Sequence, residues 1–162
     1  MIIRLFSILF LLSMLGVQAN DLGKEVVGRL EVNIYFATNG DAAIAGASAK
    51  KLAAPMEAKL RALKSPRFAS YRFIGNDRQP VFRSYENWLT PIKGSDELLL
   101  SFEPRGEVKN GKLMLDLEFW QSKKKIMKAG PTLSKGKPLY IFGPKWRGGR
   151  LIMEIQLVEL VN

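Results

Sequence analysis

Residues 109–120 read KNGKLMLDLEFW, and this stretch carries the strongest indication of the fold. Its Asn110-Gly111 pair is favoured in a two-residue β-hairpin turn, because both turn positions need a positive φ angle. After the turn, apolar residues recur at every second position, which predicts a strand with one buried face (Leu113, Leu115, Leu117 and Phe119). Met114, Asp116, Glu118 and Trp120 then share the opposite face. The stretch predicts an antiparallel hairpin whose second strand lies against the core.

Further strand patterns flank this hairpin. Leu30, Val32, Ile34 and Phe36 alternate with more polar residues, which predicts a half-buried strand. The other predicted strands are residues 68–74, 81–88, 98–103, 138–142 and 150–161, with a turn at 76–78. One apolar stripe has helical spacing and predicts a helix from Pro55 to Leu63 (Leu52, Met56, Leu60 and Leu63).

The short connections after Pro66 determine the fold class. Parallel strands need long crossover connections, and none is available there. A sheet of this many strands has to curl or fold over to hide its edges. The predicted fold is therefore α+β: a mainly antiparallel curled sheet, forming a partial barrel or a sandwich, of about six to eight strands with one covering helix.

The first 19 residues have the pattern of a secretory signal peptide. Arg4 supplies the positive start, residues 5–17 are apolar, and Val17-Gln18-Ala19 fits the cleavage rule of small residues. The apolar run is shorter than the ~20 residues that span a bilayer. We predict cleavage after Ala19 and an exported protein, periplasmic or secreted, with an uncleaved membrane anchor as the alternative.

The rest of the chain is predicted to form one domain. Residues 20–28 are short and of mixed charge, so a flexible lead-in is predicted there, followed by a single α+β domain over residues 29–162. The chain contains no Cys, which excludes a disulfide framework. The domain therefore depends on its hydrophobic core for stability.

The positive charge of the chain is concentrated between Phe119 and Met153. The whole chain has 25 Lys and Arg against 15 Asp and Glu, a net charge of +10. The stretch from Phe119 to Met153 contains nine of the basic residues and no acidic one. Most of these lie in the turns between predicted strands. The candidate binding surface consists of Lys123, Lys124, Lys125, Lys128, Lys135, Lys137, Lys145, Trp146, Arg147 and Arg150.

Two roles are open for Trp146, at the tip of the predicted loop 143–149. Its ring either tucks back against the sheet or forms a contact surface, and it can stack under a guanidinium group. The adjoining Gly148-Gly149 pair fits a hairpin loop in which both glycines adopt positive φ. The glycines do not match a phosphate-binding motif, because no helix follows them.

Several classes of catalytic site are excluded by composition. The chain has no His and no Cys, so imidazole catalysis, thiol nucleophiles and the usual zinc or copper ligands are absent. Asp116 and Glu118 are spaced at about 6.5–7 Å on one strand face, within the range of an inverting glycosidase. A solvated face with basic neighbours explains the same pair, and we favour it. We predict a protein without catalytic activity, metal or cofactor, with a carboxylate-dependent glycoside hydrolase as the alternative.

Three segments resemble uncharacterised exported bacterial domains associated with envelope secretion or pilus assembly. They are MEAKLRALKSPRF from Met56, SYRFIG from Ser70 and GKPLYIFGPKWRGGRLIM from Gly136. The resemblance covers about Met56 to Leu157. It implies a β-rich accessory or binding module and no catalytic residues.

Together these features predict a non-catalytic exported module that contacts an acidic protein or an anionic envelope polymer through its basic loops. Two alternatives use the same surface: binding of nucleic acid outside the cytoplasm, and peripheral contact with an anionic membrane. All three depend on whether the basic loops meet at one end of the sheet.

Overall fold

The structure is a computed structural model that describes residues 21–64 and 66–161, so the predicted signal peptide, residues 1–19, lies outside the described residues. Two short 3-10 helices (Leu22–Lys24 and Ala42–Ala45) accompany the main elements. In chain order these are β1 (Val26–Thr38), β2 (Lys50–Lys51), α1 (Ala54–Arg61), β3 (Ser70–Phe82), β4 (Asn87–Leu89), β5 (Leu98–Pro104), β6 (Lys112–Gln121), β7 (Lys124–Ala129), β8 (Thr132–Ser134), β9 (Leu139–Trp146) and β10 (Gly149–Leu160).

The strands form two antiparallel sheets. The first has the order β2-β3-β1-β10-β9, and the second has the order β4-β5-β6-β7, with β8 pairing with β6 at the far end from the β6–β7 turn. The sheets are not closed into a barrel. The predicted fold class, a mainly antiparallel α+β fold with one covering helix, is confirmed. The first strand begins at Val26, three residues before the predicted start of the domain.

Strand β1 lies in the middle of the first sheet; one of its faces is buried along most of its length, and the other is buried only towards its C-terminal end. On one face Leu30, Val32, Ile34 and Phe36 are fully buried in the core between the two sheets. The predicted β6 face (Leu113, Leu115, Leu117 and Phe119) fills the same core from the second sheet. On the other face of β1, Tyr35 and Ala37 pack with Leu60 of α1. The layers are therefore helix, first sheet and second sheet.

Three of the hairpins turn on two residues with positive φ. Asn110 and Gly111 have φ angles of 52° and 68°, which confirms the predicted turn. Ser122 and Lys123 have φ angles of 47° and 65° and form the turn between β6 and β7. The predicted loop 143–149 is wrong in length, because β9 continues to Trp146 and only Arg147 and Gly148 form the turn.

The region after α1 differs most from the prediction. The turn predicted at residues 76–78 and the separate strand at 81–88 are both wrong, because β3 is one strand from Ser70 to Phe82. It stays paired with β1 along this length, with Asp77 opposite Val32. Pro80 is tolerated inside β3 because β2 pairs only with Arg72 and Phe73, so no second strand needs an N–H at Pro80.

Gly149 is required by close packing, and not by a positive φ as predicted, since only Gly148 of the pair has one. A Cβ atom at Gly149 would overlap the ring of Phe36 and lie 2.6 Å from the carbonyl oxygen of Ala37. We expect Gly149→Ala to lower the free energy of unfolding in urea by about 1–3 kcal/mol, the usual cost of overpacking. Gly40→Ala is the control, because the nearest atom lies 3.6 Å from its Cβ position. Equal stability of the two variants would contradict the packing role of Gly149.

Candidate functional site

The candidate basic residues do not form one patch. Lys135 and Lys137 follow β8, which pairs with the Lys112 end of β6. The turn with Lys123 follows the other end of β6, about 30 Å away for a ten-residue strand. A third group belongs to the β9–β10 hairpin and consists of Lys145, Trp146, Arg147 and Arg150.

The lysines of β7 and its turn are largely paired with acidic residues. Lys125 and Lys128 place their Nζ atoms 3.1 and 3.4 Å from a Glu118 carboxylate oxygen. Lys123 lies 3.8 Å from Asp96. Much of the positive charge in this group is therefore compensated within the protein.

The β9–β10 hairpin forms one wall of an open cleft of about 640 Å³. The end of β1 contributes Thr38, and the segment before β3 contributes Pro66 and Phe68. Among the described residues, no acidic side chain lines the cleft. The lining residues among them are Thr38, Asn39, Gly40, Pro66, Phe68, Lys145, Trp146, Arg147, Gly148, Gly149 and Arg150.

Lys145 and Arg150 give the cleft its available charge. They lie directly opposite each other in the β9–β10 pairing, so their side chains share one face of the sheet as near neighbours. The side chain of Lys145 is exposed and that of Arg150 is half-buried. Within the described residues neither makes an ion pair, although like charges directly opposite each other destabilise a sheet. An anion between the two cations would remove this repulsion.

Trp146 is buried, which corrects its place in the candidate binding surface. Its side chain is only 4% exposed, and its ring meets Phe36 edge-on at 5.6 Å between ring centroids. Its Nε1–H donates to Oε1 of Glu97 at 2.6 Å. Of the roles left open by the sequence, the ring takes the tucked one, and it also stacks with the guanidinium group of Arg147 at 4.3 Å.

Arg147 lines the cleft with its charge already compensated. Its Nη2 lies 3.3 Å from a carboxylate oxygen of Glu97, and its Nη1 donates to the carbonyl oxygen of Ala45. Glu97 thus holds both the indole N–H of Trp146 and the guanidinium group of Arg147. These contacts fix the hairpin tip against the second sheet and leave Lys145 and Arg150 as the cations available to a ligand.

Two neutral polar side chains add hydrogen-bond donors to the cleft. Asn39 uses its Oδ1 to accept from the backbone N–H of Ala69, which leaves its amide N–H groups available to donate. Thr38 uses its Oγ1 to accept from the backbone N–H of Gly40, which leaves its hydroxyl hydrogen to donate. Ammonium, guanidinium, amide and hydroxyl donors around one cleft match the acceptor oxygens of a carboxylate, sulfate or phosphate group.

Glu154 is a charged residue whose burial the sequence pattern did not show. The alternation in β10 places it on the face opposite Leu151 and Met153, and there its side chain is fully buried beneath α1. It accepts hydrogen bonds from Tyr35 at 2.8 Å, Tyr140 at 2.5 Å and Lys59 at 3.1 Å. A weaker bond comes from Asn33, the residue directly opposite Glu154 on β1. Tyr140 is directly opposite Glu154 on β9. The polar residues Asn33, Glu154 and Tyr140 thus form one row across three strands, and this row is the sequence feature from which the cluster could have been predicted.

The pKa values of this cluster reflect its bonding. Burial raises the pKa of Glu154, but the hydrogen bonds from Tyr140, Tyr35 and Lys59 outweigh it and hold the pKa below the usual range. Burial and the Glu154 carboxylate raise the pKa values of Tyr35 and Tyr140. The carboxylate is thus charged, buried and fully bonded, and it ties α1 to β10 through Lys59.

The carboxylate pair considered for glycoside hydrolysis is engaged in ion pairs. Asp116 contacts Arg105 at 2.5 Å, and Glu118 contacts Lys125 and Lys128. Hydrogen bonds from these basic residues lower the pKa values of both carboxyl groups. A general acid in a glycosidase needs a raised pKa, so the bonding at this pair opposes that role.

Comparison of the chain with protein-family models, with curated proteins and with solved structures found no match in any of the three. Among residues 21–64 and 66–161, no helix is long and apolar enough to cross a membrane. Over the same ranges, no group of three or more acidic side chains is placed to hold a metal ion. The cleft at the β9–β10 hairpin is the candidate functional site.

The buried carboxylate makes a direct prediction for stability. We expect Glu154→Gln to lower the free energy of unfolding by about 2–3 kcal/mol, because an amide N–H₂ would face hydrogen-bond donors and Lys59 would lose its counter-ion. Urea unfolding monitored by circular dichroism measures the change. The control is Glu103→Gln on the exposed face of β5, which should leave the unfolding midpoint unchanged.

The lowered pKa of Glu154 also predicts how this effect depends on pH. A carboxyl group whose pKa is lower in the folded state stabilises the protein above its unfolded pKa of about 4.3, and the contribution is lost as the pH falls. The stability difference between the wild type and Glu154→Gln should therefore be constant from pH 8 to about 5 and shrink below about pH 4. A difference that stays constant down to pH 3 would show that folding does not lower the pKa of Glu154, and one that grows as the pH falls from 8 to 4 would show that Glu154 is protonated in the folded protein.

Proposed function

We propose that this protein is a non-catalytic exported accessory or binding module that holds an acidic partner, either a protein or an anionic envelope polymer, in the basic cleft. The observation that carries the proposal is the pair Lys145 and Arg150, two cations side by side on one sheet face without a carboxylate beside them. Export is supported by the signal-peptide pattern of residues 1–19.

The cleft differs from the other basic groups because its uncompensated cations are cross-strand neighbours that line a cavity. Lys135 and Lys137 also make no ion pair within the described residues, but neither of them lines the cleft. Lys125 and Lys128 form ion pairs with Glu118, and Arg147 forms an ion pair with Glu97. A ligand that approached those residues would have to displace an internal carboxylate. At Lys145 and Arg150 an anion meets no such competitor, and its binding removes a like-charge repulsion.

The remaining basic residues contribute to the rate of encounter. With a net charge of +10, the chain attracts acidic partners over a distance of about one Debye length, ~8–10 Å near physiological salt. This long-range attraction does not select an orientation. Orientation comes from the cleft, where hydrogen-bond donors of fixed geometry surround the two free cations.

The two alternatives have less support. Single-stranded nucleic acids bind through exposed aromatic rings on which bases stack, and the ring of Trp146 is buried. A flat anionic membrane needs its basic contacts on one side, whereas Lys135 and Lys137 lie at the opposite end of β6 from the turn with Lys123.

The test compares two variants that lose the same charge at different places. Lys145→Ala with Arg150→Ala removes the free cations of the cleft, and Lys135→Ala with Lys137→Ala removes two remote ones. The probe is fluorescein-labelled poly-γ-glutamate, with binding measured by fluorescence anisotropy at about 50 mM salt. We expect the dissociation constant to rise about tenfold for the cleft variant and less than about twofold for the remote variant.

Fold integrity and partner class are checked in the same series. Removal of like charges should leave the thermal midpoint of the cleft variant unchanged or higher. Equal weakening by both variants would contradict the cleft as the site. Tighter binding of single-stranded DNA than of poly-γ-glutamate would favour nucleic acid as the partner. Sedimentation with anionic but not neutral vesicles would favour an anionic membrane.

A further inference from the structure

Strand β9 forms one edge of the first sheet, next to the cleft. It pairs with β10 on one side, and within residues 21–64 and 66–161 no strand pairs with its other side. No side-chain hydrogen bond to its outer backbone edge is present in this part of the chain either. The outer edge of β9 therefore carries backbone N–H and C=O groups open to another chain.

The other strand edges are protected. The free edge of β3 is covered by the segment after β4, because the Asp77 carboxylate accepts from the backbone N–H of Thr90 and the Pro91 carbonyl contacts Gly75. The edge of β7 carries three lysines, a common protection against strand pairing (Lys124, Lys125 and Lys128). Strands β2, β4 and β8 are only two or three residues long.

The middle of β9 lacks these forms of protection. Leu139, Tyr140, Ile141 and Phe142 are four consecutive uncharged residues, and each is half-buried. Pro138 and Pro144 stand on either side of them. Four residues are enough to pair with one extended segment, and Pro144, which has no N–H, removes at most one ladder hydrogen bond between this segment and Lys145.

We propose that the outer edge of β9 binds an extended acidic peptide by strand addition, with a carboxylate side chain of the peptide opposite Lys145. This inference rests on the proposed function, since it uses the free cations of the cleft. It narrows the acidic partner to a polypeptide, because the open N–H and C=O groups of a strand edge are matched by a peptide backbone.

The position of the carboxylate follows from the pairing. Arg150 lies opposite Lys145 on the inner side, so a strand added on the outer side extends the same row. Residues directly opposite have Cβ atoms about 4.5–5.5 Å apart, within reach of an ion pair. Peptide residues on the same face further along meet the half-buried rings of Phe142 and Tyr140. The preferred peptide therefore alternates, with an acidic residue at the Lys145 end and apolar residues beside the rings.

A second copy of this chain is a poorer occupant of the same edge. Two copies with a net charge of +10 each repel one another. A parallel pairing of two β9 strands in register would also place Lys145 against Lys145. Charge therefore favours an acidic peptide over self-association.

The test uses a ten-residue peptide that alternates glutamate and valine, together with two N-methylated forms. One form is methylated at every second amide, and the other at the intervening amides, so that only one form blocks the N–H groups that face β9. We expect one methylated form to bind about tenfold or more weakly and the other nearly as well as the parent peptide. Amides of residues 139–143 should exchange with solvent more slowly when the parent peptide is bound.

The outcomes separate this inference from the proposed function. Binding of both methylated forms as tightly as the parent, or protection of β7 amides in place of β9 amides, would overturn strand addition. So would failure of the peptide to bind while poly-γ-glutamate, whose backbone is not that of an α-peptide, still binds at Lys145 and Arg150. Failure of both probes would overturn both proposals. If the β9 amides exchange more slowly as the protein concentration rises, in the absence of peptide, the edge pairs with a second copy of the chain.

Discussion

One face of β1 is buried along most of the strand and the other at its C-terminal end, and the rest of the structure is arranged to cover them. The face with Val32, Ile34 and Phe36 is covered by the second sheet, whose β5–β6 hairpin supplies the opposing apolar residues. The face with Tyr35 and Ala37 is covered by α1. A helix of eight residues is only about 12 Å long, much shorter than the 13-residue strand beneath it. The helix layer is therefore incomplete, and its ends determine where the sheet is accessible.

The sheet face that α1 partly covers carries a negative charge beneath the helix and positive charges beyond it. On the buried part, Glu154 accepts bonds from Lys59 and two tyrosines, so one negative charge holds the helix in place. Beyond the helix, the row that contains Ala37 continues through Arg150 to Lys145. There the positive charges have no ion-pair partner in the part of the chain that the structure describes, and Phe68 lines the cleft as well. On this sheet face, the Glu154 charge beneath the helix is therefore paired, whereas the charges of Arg150 and Lys145 beside the helix remain available to an anion.

Much of the fold could be predicted from the sequence, because the alternation in β1, β6 and β10 and the Asn110-Gly111 turn are local signals. The long β3 could not, since Asn76-Asp77-Arg78 has the composition of a turn and is held in a strand only by pairing with β1. The burial of Glu154 depends on which face α1 covers, which periodicity alone does not show. For the site, the sequence shows where the basic residues are concentrated. Which of them are free was decided by carboxylates far away in the chain, such as Glu97 beside Arg147 and Glu118 beside Lys125.

We expect an acidic partner to bind in the cleft, where Lys145 and Arg150 lie side by side without an ion pair among the described residues. Two-dimensional NMR of the isotope-labelled protein during a titration with poly-γ-glutamate tests this residue by residue. The backbone shifts should change most in residues 38–40 and 145–150, which line the cleft. Changes concentrated at residues 109–112 and 135–137, at the opposite end of β6, or spread evenly over all exposed lysines, would contradict it.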